Sequence, residues 1–188
     1  LKRYLASFFF YSMGVQTVML AATLFGSQVL QLPTSKLIGC ILIIQLVAIA
    51  GAYLMAKLSE RFGNFRVLLF VVLLWIGICI AAYLTTTEMQ FYVVATVVGL
   101  VMGGIQSLSR STYAKIMPAT HDTASFFSFY DVTEKVAIVI GMLSFGLVQE
   151  ATGNMRNSVL ALIVFFLLGA IGLIATLSKQ KQLRTASV

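Results

Sequence analysis

A chain of 188 residues that is 60% hydrophobic and 10% charged, with mean hydropathy +0.97, cannot clothe a water-facing surface. Soluble domains carry about 25% charged residues, so a soluble globular domain is excluded and a lipid bilayer is the expected surroundings. The formal net charge is +7, but the basic residues stand at the ends of apolar runs rather than along one face with interleaved aromatics, which excludes nucleic acid as a partner.

Six apolar segments reach or approach the roughly 20 residues a helix needs to cross a bilayer. They are 4–30, 37–55, 67–84, 91–108, 124–148 and 159–177. None shows the roughly ten-residue alternation of barrel strands. The expected fold is therefore all-α and integral to the membrane, with six transmembrane helices.

The first span follows Lys2-Arg3 and carries Tyr11, Ser12, Gln16 and Thr17. The chain opens on Leu1 with no cleavable signal, and the expectation is that it is a piece of a longer protein. Pro33 breaks the chain before the second span, which holds Cys40 and, near its middle, Gln45. A basic loop with Gly63-Asn64 leads into the third span, which holds Cys79. Both cysteines lie in apolar runs and read as small hydrophobes. The fourth span carries Gly99, Gly103, Gly104, Gln106 and Ser107 and ends at Arg110. Its glycines suit close helix approach. Its polar side chains, like those of the first two spans, must face the bundle interior or water, because lipid cannot satisfy them. Tyr11, Gln16, Gln45 and Gln106 are accordingly candidates for a solute path, although each could equally serve a helix–helix hydrogen bond.

After Pro118 and the single His121, a loop residue without partner ligands, comes the fifth span. It holds Asp131, Glu134 and Lys135 in FYDVTEKVAIVIG. At 1.5 Å per residue from a start near Thr123, Asp131 lies roughly 12 Å and Lys135 roughly 18 Å along the helix. Charges at that depth are costly. Ser128, Asp131 and Lys135 have spacings of three and four and so share a face, with Glu134 on its flank. Asp131 and Lys135 are expected to pair, leaving Glu134 as an extra carboxylate. Three uses remain open: a tie between helices, a site for a charged or zwitterionic solute, or a proton carrier with its pKa raised by burial. Three charges at mid-depth favour the two transport uses. Gly153-Asn154 breaks the chain before the sixth span, and a basic tail from Lys179 to Arg184 follows it.

Lys and Arg fix the expected orientation. Ten lie on one side (Lys2, Arg3, Lys57, Arg61, Arg66, Arg110, Lys115, Lys179, Lys181, Arg184) and two on the other (Lys36, Arg156). The positive-inside rule then puts both termini in the cytoplasm. Glu60 to Arg66 and Glu150 to Arg156 both read E-x-x-G-N-x-R, ninety residues apart, each after the second span of a three-span group. One lies inside and the other outside, as an inverted repeat of three plus three helices requires.

The stretch AKLSERFGNFR (56–66) resembles the cytoplasmic loop signature of the major facilitator superfamily, with Ala56, Leu58, Glu60, Arg61, Gly63 and Arg66 at its positions. Ala56 and Glu60 replace the usual Gly and Asp. FFFYSMGVQT (8–17), LIGCILIIQ (37–45), GGIQSLSRS (103–111) and FFSFYDVTEK (126–135) together resemble the C-terminal half of the vacuole effluxer-like, autophagy-related branch of that superfamily. Many relatives carry Asn-Asp-Gly where this chain has Ser12-Met13-Gly14, so no acidic role passes to the first span.

The resemblance implies half of an alternating-access secondary transporter, to be completed by a second six-helix half. The solute would be small and polar or zwitterionic, such as an amino acid, and transport would be coupled to protons or not. It implies a cytoplasmic gate of Glu60, Arg61, Gly63, Arg66 and Arg110, with Glu60 pairing with Arg110 in the closed state. The home is the cell membrane in a bacterium or the vacuolar membrane in a fungus. No metal-ligand set, cofactor signature, Ser/His/Asp group or phosphate-binding loop points to an enzyme. The alternative is a six-span channel or scaffold acting as an oligomer, in which the intramembrane charges are structural.

Overall fold

In a computed structural model, residues 1–119 and 122–185 are described, with side chains as far as Ser178. His121 and the side chains of the basic tail lie outside the described residues. The described residues form six helices: α1 (Lys2–Gln28), α2 (Thr34–Phe62), α3 (Asn64–Leu84), α4 (Glu88–Ile116), α5 (Thr123–Thr152) and α6 (Met155–Thr185). Five are long and apolar enough to cross a membrane, and α5, which holds Asp131, Glu134 and Lys135, is not among the five. From α2 onward the helices run past the apolar segments into their polar flanks. A helix ends where its backbone is capped, not where hydropathy falls.

The caps follow the local chemistry. Pro33 precedes the first residue of α2 at φ −66°, which matches the ring's fixed geometry. Thr87 and Gln90 form a capping box at the start of α4. Only Gly63 separates α2 from α3, at φ 87° and ψ 145°. That backbone conformation is open in practice to glycine alone, and it lets two long helices reverse across a single residue. Gly153 ends α5 in the left-handed region at φ 64°, the usual glycine stop.

The packing has internal symmetry. α1 lies against α5 and α6, while α4 lies against α2 and α3; α3 also packs on α6. Exchanging the first three helices for the last three maps these neighbours onto one another: α1·α5 becomes α4·α2, α1·α6 becomes α4·α3, and α3·α6 maps onto itself. This is the 3+3 repeat, and individual residues respect it. A Cβ on Gly51 of α2 would collide with the Leu100 carbonyl oxygen of α4, and one on Gly141 of α5 would meet the Met13 carbonyl oxygen of α1 at 2.7 Å. Gly51 and Gly141 are ninety residues apart, the offset that also separates Gly63 from Gly153. Lipid supplies no hydrophobic drive between helices, so this close backbone approach is what joins them.

Trp75 of α3, fully buried, stacks on Phe166 of α6 with ring centres 5.7 Å apart and planes 10° from parallel. At one end of the bundle Lys36 and Glu88 form an ion pair at 2.7 Å between the starts of α2 and α4. At the other end Asn64 bonds to Ser111 and Thr112 of α4.

Candidate functional site

α1 approaches α4 and α5 with one stripe: Phe8, Tyr11, Ser12, Val15 and Gln16, at spacings of three, one, three and one. With Ile105, Gln106, Ser109 and Arg110 of α4 and Tyr130 and Glu134 of α5, that stripe lines a cavity of about 220 Å³.

One wall, at Tyr11 and Ser109, is backed by a chain of hydrogen bonds that reaches Tyr4. Tyr4 donates its hydroxyl to the Ser109 carbonyl oxygen at 2.8 Å. Tyr11 shares a hydrogen bond with the Ser109 hydroxyl at 2.8 Å, and the two tyrosine hydroxyls lie 3.3 Å apart. The second wall is aromatic: Tyr130 stacks on Phe8 with ring centres 4.1 Å apart. Gln16 Nε2 donates to Glu134 Oε1 at 2.7 Å, tying α1 to α5. Arg110 Nη2 donates to Asp131 Oδ1 at 2.9 Å, and its guanidinium lies 5.6 Å from the centre of the Tyr130 ring. The cavity thus presents a carboxylate and a guanidinium of opposite sign, two aromatic faces, and neutral donors and acceptors from Ser12, Gln106 and Ser109.

Of the residues expected on the path, Tyr11, Gln16, Gln106 and Glu134 line this cavity. Asp131 stands at its rim through Arg110. Gln45, Ser128 and Lys135 do not line it and are exposed. The expected pairing of Asp131 with Lys135 is replaced by Asp131 with Arg110, and Lys135 forms no ion pair among the described residues.

The reason is the rotation of α5. Its inward stripe is Tyr130, Glu134, Ala137, Gly141 and Phe145, at helical spacings of four, three, four and four. Tyr130, Ala137, Gly141 and Phe145 are buried. Small side chains at 137 and 141 let α1 approach, and this choice turns Glu134 inward and Lys135 outward.

Arg110, expected at the gate, belongs to the cavity as well. Glu60 forms no ion pair among the described residues, and Arg61, Gly63 and Arg66 line a separate cavity at the α2–α3 turn. Sequence reasoning passed over Phe8, Ser109, Tyr130, Asn64 and Lys115. For Tyr130 the signal was its place four residues before Glu134, and for Ser109 its place beside Arg110.

The described residues thus form two triplets of helices with a polar, charge-bearing cavity between α1, α4 and α5. The family model described as "Vacuole effluxer Atg22 like" matches residues 1–187, and the chain belongs to that family. It is 33% identical over 168 residues to the "Uncharacterized MFS-type transporter YxiO" of Bacillus subtilis, covering 89% of this chain and 39% of that protein. It is 32% identical over 183 residues to "Autophagy-related protein 22" of Cryptococcus neoformans, covering 86% of this chain and 31% of that protein. The protein of the same name from Eremothecium gossypii is 29% identical over 175 residues, with 86% and 34% covered. The chain therefore spans between about a third and two fifths of the length of these relatives. No solved structure matches it.

Proposed function

We propose that this chain is one six-helix half of a major-facilitator-type secondary transporter that moves a small zwitterionic solute of the amino-acid class by alternating access. The observation that carries this reading is the pairing of opposite charges on one cavity wall: Glu134 and Arg110 both line it. An α-ammonium group suits Glu134 and the faces of Tyr130 and Phe8. A carboxylate suits the planar fork of Arg110. Gln16, already donating to Glu134, orients the carboxylate.

Proton coupling is assigned to Glu134, the carboxylate on the cavity wall that has no ion-pair partner among the described residues, since intramembrane carboxylates of this kind serve as proton relays in transporters. Asp131, with Arg110 at 2.9 Å, is the less suitable carrier. The gate is assigned to the helix ends that flank the one-residue turn at Gly63, between α2 and α3. In the closed state Arg110 exchanges Asp131 for Glu60, while Arg61 and Arg66 hold the turn at the membrane surface. A missing six-helix half supplies the facing wall. Both termini are assigned to the cytoplasm from the Lys and Arg bias, in the cell membrane of a bacterium or the vacuolar membrane of a fungus.

The test is uptake by the full-length protein in proteoliposomes, across a panel of amino acids, with and without a pH gradient. Accumulation of an amino acid that Glu134→Gln uncouples from the gradient is the expected result. Full gradient-driven uptake by Glu134→Gln would remove the proton assignment. No uptake of any zwitterion would remove the solute class.

A further inference from the structure

On the side where the basic residues collect, the end of α2, the start of α3 and the ends of α4 and α6 enclose a second cavity of about 490 Å³, separate from the solute cavity. Arg61, Arg66 and Lys115 line it, and Phe65, Ile116 and Leu177 give it an apolar wall. None of these cations meets a carboxylate, since the ion pairs among the described residues are Lys36 with Glu88 and Arg110 with Asp131. Three like charges gathered in one recess without an acidic partner repel one another unless an anion joins them.

Lys115 is aimed into this arrangement by a buried amide. Asn64 is 9% exposed. Its Nδ2 donates to the Ser111 hydroxyl at 3.0 Å and the Thr112 hydroxyl at 3.4 Å, and its Oδ1 accepts from Lys115 Nζ at 2.8 Å. A neutral partner fixes the ammonium in place and leaves its charge uncompensated. The first turn of α3 opens on the same cavity, and no side chain caps it. Its free N–H groups add the positive end of a helix to the three cations.

We propose that this cavity binds the phosphate of an anionic phospholipid from the leaflet on the basic side of the membrane. Arg61, Arg66 and Lys115 meet the phosphate oxygens, with the fork of an arginine taking two of them. The apolar wall of Ile116 and Leu177 receives the glycerol end of the acyl chains. This wall, together with the exposed ring of Phe62 beside it, favours a lipid over a free anion. The site stands independently of the transported solute.

Purified full-length protein, stripped of lipid and titrated with phosphatidylglycerol or phosphatidylcholine, is read by native mass spectrometry of retained lipid. Phosphatidylglycerol should be retained preferentially. Lys115→Gln should lower that retention about five-fold, the scale of one cation near an anionic lipid. Lys115→Arg, which keeps the charge, should retain most of it. The pair Lys2→Gln and Arg3→Gln removes two exposed cations from the same side, neither of which lines this cavity, and should change retention less than about two-fold. A loss in that pair equal to the loss in Lys115→Gln would mean that surface charge alone gathers the lipid, and would overturn the site. Equal losses in Lys115→Arg and Lys115→Gln would overturn it as well. Millimolar inorganic phosphate that displaced the phosphatidylglycerol would overturn the lipid assignment in favour of a free anion.

Discussion

Asp131 precedes Lys135 by four residues, the spacing at which a carboxylate and an ammonium usually meet on a helix, yet its partner is Arg110 of α4 at 2.9 Å. A pairing between helices depends on their rotation, which no local spacing reveals. Here Ala137 and Gly141 set that rotation. Arg110→Gln and Asp131→Asn should each reduce transport, with the double variant no worse than the weaker single one. Both side chains are about half exposed in this chain, so a coupling near the low end of about 0.5–3 kcal/mol is expected. Strictly additive losses in the transport rates would show that the two residues act apart. Outside the bilayer, Asp122 caps α5 by accepting from the Ser125 backbone N–H at 3.2 Å. Hydrogen bonds from Ser125 hold its carboxyl below the usual carboxylate range. A pKa lowered on folding stabilises at pH values above the unfolded value of about 3.9 and is lost as pH falls through the folded one. At neutral pH, Asp122→Ala should therefore speed hydrogen exchange in the first turn of α5. As pH falls below about 4 the gap between wild type and variant should begin to narrow, closing only below the lowered folded value; a gap that did not change with pH over this range would exclude ionisation as the source.

At the scale of helices, hydropathy and turn residues foretold the six elements, because a backbone in lipid must satisfy its hydrogen bonds within each segment. Less legible was which glycines were indispensable. The chain has 14, and only their neighbours distinguish them. A Cβ on Gly103 of α4 would overlap the Ala48 carbonyl oxygen of α2, whereas one on Gly77 of α3 would find nothing within 4 Å. Gly103→Val should push α2 and α4 apart and cost about 1–3 kcal/mol or more, the scale of overpacking. Gly77→Ala should be neutral or stabilise by up to about 1 kcal/mol, since alanine is the better helix former. Thermal unfolding in detergent micelles measures both. Equal shifts would mean that close approach of α2 and α4 does not govern the stability of this bundle.

For the molecule as a whole, the repeated E-x-x-G-N-x-R was a four-position echo in the sequence, and the fold gives it physical content, since Gly63 and Gly153 both take positive φ where one helix stops and the next begins. Symmetry places α2 and α5 as counterparts, each leaning mainly on one partner, and their outer faces stay uncovered: Leu46 and Ile49 on α2, Val139 and Leu143 on α5, are all more than half exposed. Apolar side chains on such a face are at ease in lipid or against another helix. Lys135 is not. It is the thirteenth of the 30 residues of α5, close to the midpoint of a helix about 45 Å long, and it is exposed without an ion-pair partner among the described residues. A lysine at that depth facing hydrocarbon would carry a penalty of about 2.5–3.5 kcal/mol or more. The face that bears it is therefore expected to meet water or an acidic group between two halves of a larger protein, which agrees with the short share of the relatives' length that this chain spans. In the full-length protein, Lys135→Cys should react with a charged, membrane-impermeant thiol reagent, and a transported solute should slow the reaction. Leu143→Cys, two turns further along α5, serves as the comparison within the apolar part of the same helix. Reaction of the Lys135→Cys variant only with lipid-soluble reagents would place this face of α5 against the bilayer and would confine the helix's share of the path to the opposite stripe of Tyr130 and Glu134.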